Sequence, residues 1–180
     1  MKTYVITLSQ QFPKGHRRHG EPTYFREQFQ NTILDDAGVS ACDCCKYETR
    51  DCEACGYKAV NFRKKIHTIR ANYPLWEQRF AEIERGDACL SVRQWTGMPY
   101  RSKQVEIGCL TARDGIGIQM LSFPGGDISA PIVSGRRRKL LNLNDLSRND
   151  GLSYSDWYKW FDKYDRSKPM VIIHFTKFRY

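Results

Sequence analysis

Apolar and polar residues alternate over residues 2–8, the period of a strand with one buried face. After Pro22 and Thr23 the period lengthens. Phe25, Phe29, Ile33 and Leu34 recur at helical spacing, and the pattern stops near Gly38. A second helix is predicted from about Pro74 to Arg85, with Leu75, Trp76, Phe80 and Ile83 as its apolar face. Pro74 suits its first turn and Gly86 lies just past its end. From Asp87 to Phe123 the pattern returns to strands, at residues 88–94, 103–112 and 115–122, and Asp114-Gly115 reads as a tight hairpin turn. Residues 124–140 are rich in Gly, Pro and Arg and read as a loop. Ser153, with Asp156 three positions on, opens a further helix carrying Trp157, Trp160, Phe161 and Tyr164, which ends before Pro169. Residues 170–178 close the chain as an apolar strand. Together these elements describe a single α+β domain over residues 1–180, its mostly antiparallel sheet able to curl into a barrel with flanking helices.

One segment interrupts this pattern. Five of the 7 cysteines fall between residues 42 and 55. Cys42 pairs with Cys45 and Cys52 with Cys55 as two Cys-x-x-Cys turns, each able to aim two thiolates at one point. Two such turns close a tetrahedron of sulfurs about 2.3 Å from a zinc ion, leaving no open position for substrate. The expected metal is therefore structural, a staple for an insertion over residues 40–57. The odd cysteine count and the absence of an export signal in the sequence disfavour a disulfide framework. A redox pair is the other alternative, although neither pair is set between a strand and a helix. Cys44 can replace a neighbouring ligand or remain a free thiol, and Cys89 and Cys109 read as core residues.

Composition adds a partner class. The chain has 29 basic and 20 acidic side chains, a formal net charge of +9, which favours a polyanion such as RNA or DNA. Arg136-Arg137-Arg138-Lys139 and Arg17-Arg18 are candidate phosphate contacts, or else solvated loops. No stretch approaches the roughly 18 apolar residues of a membrane span, and residues 1–8 do not form a signal-peptide core. The sequence thus predicts a cytoplasmic protein with no membrane association.

Two further segments resemble the ASCH family of the PUA-like superfold. One is the helix with Phe25 and Phe29 followed by Lys65-Ile66-His67-Thr68-Ile69-Arg70, similar to the Lys-Thr-x-Thr-x-Arg stretch of small bacterial ASCH amidohydrolases. The other is Asn149-Asp150-Gly151-Leu152-Ser153-Tyr154-Ser155-Asp156 with its helix and the final strand, and Arg85-Gly86-Asp87-Ala88 resembles the family's lead into a middle strand. The resemblance implies a small barrel that binds RNA or a nucleoside. In the amidohydrolase branch it implies hydrolysis of the acetyl amide of N4-acetylcytidine. By position the nucleophile is then Thr68, its activating lysine Lys65, the acid Asp150, and the motif arginine Arg70. The family carries Glu where this chain has Asp150, a reach shorter by roughly 1.5 Å, and misplacement on that scale can cost about 100-fold in rate.

The chemistry is coherent in its own right. A threonine hydroxyl needs a base to take its proton, and a lysine serves when burial or neighbouring cations lower its pKa. Strict alternation along residues 65–70 nonetheless puts Lys65 and Thr68 on opposite faces, so the pairing needs a turn or bulge. His67, Arg70, Arg93, Trp95 and Tyr100 are the candidate substrate-binding residues, the last three mixing cation and aromatics around a Gly-Met-Pro turn. The alternatives to an enzyme are a non-catalytic nucleic-acid-binding module using residues 14–18 and 136–139, or a protein whose zinc loop docks on another protein.

Overall fold

The computed structural model describes residues 1–36, 64–135 and 137–180. In chain order these form β1 (Lys2–Thr7), α1 (Phe25–Asp36), β2 (His67–Arg70), α2 (Tyr73–Glu84), β3 (Ala88–Trp95), β4 (Gln104–Leu110), β5 (Gly117–Ser122), β6 (Ile132–Ser134), β7 (Arg138–Leu140), α3 (Leu143–Asn149), α4 (Tyr154–Phe161) and β8 (Met170–His174). The architecture is α+β, with two mostly antiparallel sheets and, among the described residues, no closed barrel.

The smaller sheet runs β1-β3-β4. β1 pairs with β3 in parallel, Lys2 opposite Ala88 and Thr7 opposite Arg93. A parallel pair needs a long crossover, and here the chain passes through α1, β2 and α2 before returning. The antiparallel β3–β4 pair shifts register between Val92 and Arg93. Gly108 on β4 is where α1 settles on this sheet. A Cβ there would lie 2.8 Å from the Phe29 ring, and Phe29 meets Phe175 edge-on at 5.0 Å between centroids. One aromatic thus joins helix and both sheets.

The larger sheet has the order β2-β8-β5-β6-β7. All five residues of β8 are buried, which is why its sequence is a continuous apolar run instead of an alternating one. α2 begins at Asn72, which has φ 64 and accepts a hydrogen bond from the Leu75 amide, and Trp76, Phe80 and Ile83 form its buried stripe. That stripe packs on β3, β5 and β8. Leu75 leaves the expected apolar face and is 38% exposed, because it sits about 100° around the helix from Trp76. Ser153 caps α4 as the sequence suggests, its Oγ accepting from the Asp156 amide and donating to the Asp156 carboxylate at 2.7 Å.

Several expectations require correction. Asp114-Gly115 does not close a hairpin: β4 pairs with β3, whereas β5 pairs with β6 and β8. Asp114 instead accepts from the Thr111 amide at 2.7 Å and hydroxyl at 2.9 Å, closing a 3-10 turn that carries the chain from one sheet to the other. Residues 124–140 are not all loop, since β6 and β7 pair there with Ile132 opposite Leu140. Cys109 is exposed, not core, on the outer edge strand β4, and α3 has no counterpart in the sequence reading. The Cys42, Cys45, Cys52 and Cys55 ligand set, with its zinc, lies outside the described residues, as do Cys44 and Arg136. Among the described residues no group of three or more His, Cys, Asp or Glu is placed to hold a metal ion. No helix among them is long and apolar enough to cross a membrane.

Candidate active-site cleft

A cleft of about 290 Å³ opens where the end of β1 meets β2, walled by α1 and α4. Arg70 of β2 stitches the seam, donating through Nη2 to the Thr7 carbonyl at 2.6 Å. Lys65, Thr68, Arg70 and Asp150 all line the cleft.

Lys65 enters from the segment just ahead of β2. Its amide donates to the Gln28 carbonyl at 3.2 Å, and the Ile66 amide donates to the Asn149 carbonyl at 2.8 Å. The backbone is therefore bonded to α1 and to the end of α3 at these positions, and regular pairing with β8 starts only at His67. That break removes the alternation that separates Lys65 from Thr68.

The Lys65 side chain is 1% exposed and its Nζ lies 4.0 Å from the centroid of the Phe25 ring. Nζ donates to the Asp150 carboxylate and to the Asp150 carbonyl, both at 2.5 Å. Asp150 is presented by the turn between α3 and α4. Its amide caps α3 by donating to Leu146, and Gly151 follows with φ 80. A side chain at Gly151 would collide with the Gln28 carboxamide. Burial lowers the Lys65 pKa, opposed by the attraction of Asp150. Burial likewise raises that of Asp150, opposed by Lys65 and Arg70. The two proton affinities are pushed toward each other, the condition for moving a proton within the pair.

Thr68 Oγ accepts from Arg70 Nη1 at 2.8 Å. With a guanidinium on its oxygen, the hydroxyl's own proton points elsewhere. The same Nη1 donates to the Ile69 carbonyl at 2.9 Å. Burial lowers the Arg70 pKa from its ordinary value. The rest of the cleft is largely aromatic, with Phe25, Trp160, Phe161 and Tyr164. Tyr100 lines the rim while remaining 90% exposed, with a left-handed backbone at φ 64. Its loop is held shut by Thr96 to Lys103, Gly97 to Ser102 Oγ, and Ser102 Oγ to Met98.

Other candidate residues lie elsewhere. His67 is fully buried behind β2, its Nε2 2.8 Å from the Tyr180 hydroxyl and its ring 5.6 Å from that of His174. Arg93 donates to Ser91 Oγ at 2.9 Å, and does not line the cleft. Trp95 is also outside the lining and supports Tyr100 from behind at 5.4 Å between rings. Arg17 and Arg18 are spent on Asp156 at 3.0 and 3.1 Å. Burial alone would raise the Asp156 pKa, but hydrogen bonds from Ser153, Arg17 and Arg18 hold it low. Arg137, Arg138 and Lys139 are exposed.

Sequence reasoning missed Trp160 and Tyr164 as cleft residues, treating them only as helix positions. The capping box at Ser153 fixes where α4 starts, and hence which aromatics face inward, but not what they face. No family model matches the chain, and no curated protein and no solved structure matches it either.

Proposed function

We propose that this chain is a nucleoside- or RNA-binding protein of the ASCH, PUA-like type, and that Lys65, Thr68 and Asp150 form an amidohydrolase centre for an acetylated cytidine-type base. The observation that carries this reading is the convergence of Thr68 with the buried Lys65–Asp150 pair in one cleft. The α3–α4 turn brings the Asp150 carboxylate to 2.5 Å from Lys65 Nζ, which supports Asp150 in the role the family gives to Glu.

Transfer of the pair's proton to Asp150 leaves Lys65 a neutral amine. The amine takes the Thr68 hydroxyl proton as Oγ attacks the acyl carbon, forming a C–O bond and an oxyanion. Collapse breaks the C–N bond, and the departing nitrogen recovers a proton from the Lys65 ammonium. A water molecule, deprotonated by Lys65, then attacks the acyl-threonine ester, releasing acetate and restoring the hydroxyl. The aromatic walls suit a planar base, and Tyr100 offers a stacking face at the rim. Residues 40–57 are read as a zinc staple ahead of β2, outside this chemistry.

The test is product analysis. Full-length protein is incubated with N4-acetylcytidine, free and within an oligonucleotide, and cytidine and acetate are measured. Release of both in equal amounts is expected, and no release from either substrate would sink the enzymatic reading. A non-catalytic RNA-binding reading is favoured by the exposed cations Arg138 and Lys139 on the edge strand β7, with exposed Arg137 just ahead of it. It predicts oligonucleotide binding that weakens steeply with salt.

A further inference from the structure

The charges facing the cleft do not balance. Its ionisable lining is Lys65, Arg70 and Asp150, with the phenols of Tyr100 and Tyr164. Asp150 is engaged directly by Lys65, which leaves Arg70 as a half-buried cation with no carboxylate within ion-pair distance among the described residues. Asp150 attracts Arg70 as well as Lys65, so two cations share one carboxylate and one positive charge is left over. Such an excess in a partly enclosed cleft is costly, and an anionic ligand relieves that cost.

Hydrogen bonding agrees. A guanidinium carries five N–H donors in a fixed planar fork. Three are used on Thr68 Oγ, the Ile69 carbonyl and the Thr7 carbonyl. Two have no acceptor among the described residues, although the group borders the cleft. All three occupied acceptors are uncharged, so none neutralises the guanidinium.

We infer that Arg70 is the anion-binding group of the cleft, and that the ligand places beside Thr68 an oxygen that bears, or acquires, negative charge. The substrate class is then an acyl compound whose hydrolysis releases a small carboxylate. Arg70 holds the oxyanion formed on attack and afterwards the carboxylate product. This deepens the amidohydrolase reading and rests on it for the identity of the acyl group, but the anion site itself does not require turnover. It also separates Arg70 from a purely structural strut between β1 and β2, because a strut has no reason to respond to acetate.

Sodium acetate is the probe, titrated into the full chain against sodium chloride at constant ionic strength. Binding is read as protection of Arg70 from phenylglyoxal, mapped by mass spectrometry. Saturable protection at Arg70 is expected. NMR line broadening of acetate gives an affinity that Arg70→Gln weakens at least about tenfold. Should Arg70→Gln fail to fold, the wild-type protection alone decides. Equal modification of Arg70 with and without acetate, or equal acetate affinity in a folded Arg70→Gln, overturns the assignment. Acetate protection in a protein that hydrolyses no acetylated nucleoside keeps the anion site and removes the amidohydrolase reading. Turnover without any protection at Arg70 does the reverse.

Discussion

Lys65 Nζ and a carboxylate oxygen of Asp150 lie 2.5 Å apart with both side chains at most 4% exposed, although 85 positions separate them in sequence. Breaking a buried pair strands one charge in a low-dielectric setting. Lys65→Met and Asp150→Leu are each expected to cost about 3–5 kcal/mol. The double variant Lys65→Met/Asp150→Leu should cost clearly less than the two single changes together, since neither charge remains. Urea unfolding of the set measures this coupling, and strictly additive losses would show that the pair is not coupled.

The histidines behind β2 set the acid limit of the fold. His67 and His174 face each other across β2 and β8. His67 Nδ1 and both ring nitrogens of His174 are buried without a hydrogen-bond partner. Burial holds the His174 pKa at about 3, from an ordinary 6.5, and puts that of His67 well below its ordinary value. The unfolded chain therefore takes up protons below pH 6.5 that the folded chain refuses. Stability is full above 6.5 and falls as pH drops toward 3, by on the order of 3 kcal/mol at pH 4 from His174 alone. His174→Leu should flatten that limb of the stability–pH curve. An unchanged limb would place the acid sensitivity elsewhere.

Tyr100 separates binding from stability. Its ring is exposed and its backbone left-handed at φ 64, a conformation glycine adopts without steric cost. Tyr100→Gly is expected to leave stability unchanged or raise it by up to about 1 kcal/mol. If the ring stacks on a base, the same change weakens nucleoside or RNA binding by about 1–3 kcal/mol. Calorimetry on one preparation reads both quantities, and unaltered affinity would remove Tyr100 from the binding surface.

How much of this was legible beforehand depended on whether a residue's partner is local. α2, with Pro74 in its first turn and Gly86 past its end, and α4, with Ser153 and Asp156, announce themselves because their caps lie within a few residues. The parallel β1–β3 pair does not, since nothing near Lys2 specifies Ala88. β6 and β7 hid among Gly, Pro and Arg because three-residue strands carry too few positions to show a period. α3, at seven residues rich in Asn, Asp and Ser, resembles a loop in composition. In the candidate site, Lys65 and Thr68 were singled out through their resemblance to the ASCH motif, yet pure alternation set them apart. That both line one cleft goes with backbone bonds to Gln28 and Asn149 that no local pattern encodes.

The cysteine insertion gives a prediction independent of the cleft. Elemental analysis of protein purified without added metal should find one zinc per chain, and Cys42→Ser or Cys55→Ser should lose it. A folded, zinc-free wild-type protein would refute the four-cysteine assignment.

The central claim is that Thr68 is the nucleophile of an acyl-transfer site. Hydrolysis of N4-acetylcytidine should be compared for wild type, Thr68→Ser and Thr68→Ala at matched folded concentration. Wild type is expected to turn over, and Thr68→Ser, which keeps a hydroxyl, to retain measurable activity. Thr68→Ala should lose at least about 1,000-fold in kcat. Turnover by Thr68→Ala at the wild-type rate would contradict the account.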